Sequence, residues 1–149
     1  MTEPPDRKGS FVHSHHPARR QALDILYQAD VRGEDPAAAL QDWTADGREV
    51  PGFTREIVEG VTEHRAEIDE ILGRHATGWT VHRMAVVDRT ILRVACYELL
   101  FRPDVPAAAA INEAVEAAKE LSTEDSGRFV NGILGRIASE EVGDRPAGP

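Results

Sequence analysis

Residues 85–101 read AVVDRTILRVACYELLF, and the reading of this stretch decides the fold. Val87, Ile91, Val94, Ala95 and Leu99 recur at the spacing of one helical face. Apolar residues also fill most of the remaining circumference, so the segment is predicted to be the central, buried helix of a bundle. Pro103 and Pro106 follow it and cannot extend it.

The same period continues on both sides. Towards the C-terminus, Ile111, Ala114, Val115, Ala118 and Leu121 mark one helix, and Val130, Ile133, Leu134 and Ile137 mark another. Towards the N-terminus, Ile57, Val61, His64, Ile68, Ile71 and Leu72 predict a single long helix, with Phe53 ahead of the cap candidate Thr54 and Thr77-Gly78-Trp79-Thr80 as its end. Asp35-Pro36, an N-cap and a first-turn proline, opens a short helix through about Trp43, and the loop ADGREVPG (45–52) follows. The first helix is expected to start near Pro17, to bury Ala22, Leu23, Ile25, Leu26 and Ala29, and to end at Gly33. No segment alternates convincingly as a strand. The prediction is all-α: a compact single-domain bundle of about six to seven helices in two three-helix halves, spanning residues 15–140. Residues 1–14 (MTEPPDRKGSFVHS) read as a disordered, His-containing tail, and 141–149 as a second tail.

Composition excludes several classes. At 149 residues, 41% hydrophobic and 29% charged, the chain is sized for one domain with its own core. Eight aromatic residues leave that core mostly to Leu, Ile, Val and Ala. The single cysteine, Cys96, forms neither an internal disulfide nor a cysteine zinc site and reads as inert packing. No apolar run approaches ~18 residues, and the first twenty residues have no apolar signal core. The expected compartment is therefore the cytoplasm, with no membrane partner. The formal charge is −9, unevenly placed: residues 1–23 hold four of the 17 basic and two of the 26 acidic side chains. The remaining body, 13 basic against 24 acidic, carries −11 and repels polyanions, so whole-surface nucleic-acid binding is not expected.

No nucleophile elbow, P-loop, dinucleotide fingerprint or HExxH occurs. Carboxylates alternate with basic neighbours, as in Glu116, Lys119 and Glu120, the pattern of a solvated helix face. The reading is no enzyme, no cofactor and no metal site. His13, His15 and His16 belong to the tail, without an acidic or cysteine partner to complete a metal site. His64 lies on an apolar stripe as a core or boundary residue. Two features stand apart. Arg19-Arg20 at the expected helix start opposes the macrodipole by a few tenths of a kcal/mol, which suggests a bound anion, with ordinary solvated arginines as the alternative. The turn STEDSGRFVNG (122–132) offers Ser122, Thr123, Asp125 and Ser126 as competing caps, then Arg128 and Phe129. An aromatic beside an arginine suits base stacking with phosphate contact; a core Phe129 is the alternative.

AINEAVEAAK (110–119) and EDSGRFVNGILG (124–135) closely resemble the C-terminal signature of the NusB transcription antitermination factors. DRTILRVACYEL (88–99) and DVP (104–106) resemble the same family, as does, more weakly, ARRQALDILYQADVRG (18–33). The resemblance spans roughly residues 15–138. It implies a small all-helical RNA-binding adaptor that pairs with NusE, a ribosomal small-subunit protein. The pair would hold boxA RNA of ribosomal leader transcripts within the RNA polymerase antitermination complex. It implies Arg19, with Arg20 beside it, as phosphate contacts, Asp125 and Phe129 on that same RNA face, and Tyr27 and Asp88 facing NusE. The sequence departs from the family at His15, His16 and Pro17, where members often carry arginines. RNA affinity without the partner is then expected to be low at neutral pH and to rise as these histidines protonate near ~6.5. An acidic body suits a basic partner, so the expected site is composite. Two rivals remain. One is a protein-only scaffold, with the RNA contacted mainly by NusE. The other is the N-terminal region of an RNA cytosine methyltransferase, which the absence of a βαβ pattern opposes. The apolar girth of residues 85–101 also permits a homodimer.

Overall fold

A computed structural model describes the chain from Arg7 to Gly143, with side chains from His15 onward. Its helices are α1 (Arg7–Arg32), α2 (Pro36–Ala45), α3 (Gly52–Glu63), α4 (Arg65–His75), α5 (Val86–Phe101), α6 (Ala107–Leu121) and α7 (Glu124–Ile137). A 3₁₀ turn, Val81–Arg83, precedes α5, and a π turn, Ala138–Val142, follows α7. Among the described residues there is no strand, so the all-α reading holds. The chain divides into two compact units after Val58, inside α3.

In the first unit, α1 begins at Arg7 rather than near Pro17, which lies inside the helix. A proline's fixed φ is helical anywhere in a helix; what it removes is one N–H, which leaves the carbonyl four residues earlier without its donor. Residues 7–14, read as tail, therefore have helical backbone, while 1–6 and 144–149 lie outside the described residues. Arg19 and Arg20 thus sit in mid-helix, and the argument from a helix start does not apply to them. Gly33 ends α1 at φ 65°, a left-handed conformation that favours glycine. The Asp35 carboxylate caps α2 by accepting from the Ala37 N–H at 3.1 Å, with Pro36 in the first turn. Thr54 is not a cap: α3 starts at Gly52, and the Thr54 hydroxyl donates instead to the buried Ala18 carbonyl at 3.0 Å.

In the second unit, α5 is central as expected: every residue from Thr90 to Leu99 is buried, Arg93 and Glu98 included. Arg93 grips Asp69 of α4 with both arms of its guanidinium, Nε–Oδ1 at 2.8 Å and Nη2–Oδ2 at 3.0 Å. The expected single helix over 54–72 breaks at His64, whose backbone sits at φ −106°, ψ 18°. Its imidazole stacks on Phe101 of α5 at 3.9 Å, a half-buried boundary position. α6 packs closely on α7 because small residues face the contact: Ala110, Ala114, Ala117 and Ala118 are buried. A Cβ on Gly127 would stand 2.9 Å from Lys119 Cγ. Beyond α7, Glu141 bonds His75 Nε2 and Arg74 Nη1, each at 2.7 Å, so the stretch read as a C-terminal tail is anchored there to the end of α4. The His75 contact, then that of Arg74, holds the Glu141 carboxyl below its ordinary value despite some desolvation. No described helix is long and apolar enough to cross a membrane.

Gly60 and Gly135 separate helix propensity from packing. A Cβ on Gly60 would collide with the Tyr97 ring, whereas one on Gly135 meets nothing within 4 Å. Gly135→Ala should raise the melting temperature, gaining about 0.5–1 kcal/mol. Gly60→Ala should lose a net ~1–2 kcal/mol, because overpacking of about 1–3 kcal/mol exceeds that gain. Thermal melts of the two variants check the sign. Burial pushes the Cys96 thiol up to about 12, with Asp69, Glu141 and Glu67 adding to it. Iodoacetamide at pH 8 should therefore label Cys96 only at the rate of global unfolding, as read by mass spectrometry across a urea series.

Candidate functional site

The first turns of α5 and α7 meet in the second unit, and the chemistry of the turn before α7 determines what they present. Thr123 is the cap: its Oγ1 accepts the Ser126 N–H at 3.0 Å. Ser126 is not free to compete, since its own hydroxyl donates to Asp88 Oδ2 at 3.2 Å. With that proton committed, Ser126 Oγ accepts from the Ser122 hydroxyl at 2.9 Å and from Thr123 Oγ1 at 3.3 Å. Asp125 has a different role from the capping one considered for it: it is exposed and ion-paired with Arg128 one turn along.

Asp88 lies in the first turn of α5, 9% exposed. Its Oδ1 is buried and has no hydrogen-bond partner among the described residues. Burial pushes the Asp88 carboxyl above its ordinary 3.8, opposed by the Ser126 hydrogen bond. The carboxylate borders a cleft of about 450 Å³ whose walls include Trp79, Met84, Asp125 and Phe129, with Arg83 at its edge. Trp79 is 50% exposed and stands edge-on to Phe129, ring centroids 6.1 Å apart. Phe129 is neither core nor fully exposed: one side of it packs and the other faces the cleft.

The structure therefore brings Asp88, Asp125, Arg128 and Phe129 together, although the sequence assigned Asp88 to a different surface from the other three. It adds Trp79 and Ser126, which sequence reasoning missed. Trp79 had a signal, a tryptophan in a Thr/Gly turn off every apolar stripe. The Ser126–Asp88 bond spans 38 residues and had none.

In the first unit the remaining candidates lie along α1. Arg19 is 3% exposed, its guanidinium 5.2 Å from the centre of the Phe53 ring, so it is neither at a helix start nor solvated. His15 stacks on the same ring at 3.9 Å and belongs to the helix rather than to a tail. Arg20 is half-buried near Asp24, whose carboxyl burial pushes up while Arg20 and Arg48 pull it down. Tyr27 is 42% exposed, and Val31 one turn on is 56% exposed, an unpaired apolar strip on α1. Among the described residues no cluster of His, Cys, Asp and Glu could hold a metal; the His13 side chain lies outside them.

Comparison with known proteins covers nearly the whole chain. Transcription antitermination protein NusB of Saccharopolyspora erythraea is 55% identical over 131 residues, spanning 86% of this chain and 87% of that protein. The NusB of Acidothermus cellulolyticus is 49% identical over 126 residues, 84% of this chain and 87% of that protein. The fold matches T. maritima NusB with a TM-score of 0.78 at 35% identity, covering 98% of this chain and 96% of the other. It also matches a chain in the crystal structure of antitermination factors NusB and NusE in complex with double-stranded RNA, with a TM-score of 0.75 at 27% identity over 84% of this chain and 96% of that one. Residues 16–139 match the NusB family, and with those relatives the conclusion is direct: the chain belongs to the NusB family of transcription antitermination proteins.

Proposed function

We propose that the chain is a non-enzymatic RNA-binding adaptor. It pairs with NusE, a ribosomal small-subunit protein, to hold boxA of nascent ribosomal RNA, and it acts in the cytoplasm within the RNA polymerase antitermination complex without a cofactor. The observation that carries this reading is the start of α7. There an exposed guanidinium, Arg128, directly precedes a half-exposed ring, Phe129, beside the exposed indole of Trp79. That is the pairing of phosphate contact and stacking surface that single-stranded RNA needs. The similar structure of NusB and NusE in complex with double-stranded RNA supports RNA binding and the pairing with NusE.

The electrostatics call for a composite site. A chain of −9 repels RNA over most of its surface, and a basic partner offsets that. Arg128 supplies a phosphate contact in the second unit and Arg20 one on α1. Arg19, at 3% exposure, presents too little of its guanidinium to serve as one directly. Tyr27 and Asp88 face NusE. The burial of Arg19 favours the second reading, a scaffold whose partner makes most of the RNA contacts.

Fluorescence anisotropy of labelled boxA RNA, with and without NusE over a salt series, tests both. The adaptor reading expects tight binding only with both proteins and none to a scrambled RNA; no gain over NusE alone leaves the scaffold. Asp125→Asn should strengthen RNA binding by about threefold at low salt, because it removes a repulsive charge and releases Arg128. Arg128→Ala should lower the salt slope of log K by ~0.7, and Phe129→Ala should cost about 1–3 kcal/mol if a base stacks there. Unchanged binding in all three variants would remove the start of α7 from the RNA face.

A further inference from the structure

We infer that the pocket at the C-terminal end of α2, beside the last turn of α1, is a further subsite for one nucleotide of single-stranded RNA. The base stacks on the paired planes of Arg48 and Trp43, its amino edge is met by Asp42 or Asp46, and Arg32 holds the phosphate. This rests on the RNA-binding reading above and places an additional contact within the first unit.

The turn that ends α2 builds the stacking pair. Gly47, at φ 82°, takes the left-handed conformation that closes a helix. It donates its N–H to the Thr44 carbonyl at 3.0 Å, and Arg48 donates its own to the Trp43 carbonyl at 3.2 Å. Those two bonds fold the chain back and set the Arg48 side chain on the indole, the guanidinium carbon 4.0 Å from the ring centre. An apolar side chain commonly makes that contact; here a planar cation does. The ring is in turn tied to α1, with Trp43 Nε1 donating to Gln28 Oε1 at 3.2 Å.

Arg32 and Arg48 are exposed, and among the described residues neither guanidinium has a hydrogen bond or an ion pair. Asp24 acts on Arg48 only through its charge. A lone exposed arginine is ordinary surface. Here two of them share a pocket of about 310 Å³ with an indole and two aspartates, a volume on the scale of small-ligand sites. A guanidinium plane is a stacking surface for an unpaired base, and the indole behind it keeps it flat. The fork of Arg32 matches a phosphate. Asp42 and Asp46 repel a phosphate, but a carboxylate also accepts from the exocyclic amino group of cytosine, and adenine and guanine carry such a group too. The two arginines offset the two aspartates, so the pocket does not share the excess charge with which a chain of −9 repels RNA. An acidic peptide is the less suitable occupant, because it sets further carboxylates beside Asp42 and Asp46.

The full-length chain has two tryptophans, so an isotope-labelled sample gives two indole N–H signals, and Trp43→Phe identifies that of Trp43. A short oligocytidylate at low salt is expected to shift the Trp43 signal saturably. Oligouridylate, whose bases lack the amino group, should bind at least about threefold more weakly. Arg48→Lys keeps the charge and removes the plane, and should weaken oligocytidylate binding by about threefold or more. Arg32→Ala should weaken it similarly and lower the salt slope of log K by ~0.7. Asp42→Ala or Asp46→Ala should narrow the difference between the two oligomers. Oligocytidylate binding unchanged in both arginine variants would reduce the Arg48–Trp43 pair to the contact that closes the turn and overturn the subsite. No shift of the Trp43 signal, equal binding of the two oligomers, or an equal shift with polyglutamate would overturn it as well. Binding of boxA RNA by the chain together with NusE separates the two readings: where it persists, the adaptor stands without this subsite, and where it too is absent, both fall.

Discussion

Because α5 is buried continuously from Thr90 to Leu99, every polar group on that stretch must find its partner inside the protein. Arg93 and Asp69 show what this demands. The pair is stable only as a pair, because a buried guanidinium without its carboxylate would bear the full desolvation cost. Two hydrogen bonds in the fork geometry leave α4 little freedom to slide or rotate on α5. Thr90 meets the same demand locally by donating to the Val86 carbonyl at 2.8 Å. Asp88 does not: among the described residues one of its oxygens is left without a donor, where the first turn of α5 borders a cleft. An unmet acceptor in an otherwise satisfied helix is a local cost to stability.

The helices were legible because their apolar stripes are long and their ends carry Gly33, Asp35-Pro36, Pro103 and Pro106. The errors have three physical sources. Pro17 fits the first turn of a helix and its interior with the same φ, so only tertiary context decides, and α1 runs on to Arg7. At His64 no glycine or proline announces a break; the backbone departs where the imidazole stacks on Phe101, 37 residues away in sequence. Glu141 reads as tail because its partners, Arg74 and His75, lie more than sixty residues away. Periodicity records which face is buried. It carries no record of a contact between distant positions.

The candidate site divides along the same line. Asp125, Arg128 and Phe129 are neighbours on one helical turn, so adjacency alone places them together. Four residues of the sequence compete for one cap, and the folded chain separates their roles. Thr123 caps, Ser126 holds Asp88, Ser122 donates to Ser126, and Asp125 pairs with Arg128. Hydroxyls are interchangeable as caps and not as links to a buried carboxylate. That distinction needs the position of Asp88, which no local pattern supplies.

Two carboxylates of the second unit are linked to stability with opposite sign. Glu141 is held below its ordinary 4.5 by His75 and Arg74, so its contribution is present above the unfolded value and lost as pH falls through the folded one. Asp88 is pushed above its ordinary 3.8 by burial, so the folded chain holds that proton more tightly than the unfolded chain. Its contribution is therefore lost as pH rises from the unfolded value to the folded one, and at neutral pH the ionised group costs stability. Glu141 serves the fold, anchoring the turn after α7. Asp88 is a charge the fold tolerates at a cost, with the Ser126 hydroxyl as the donor that lessens it.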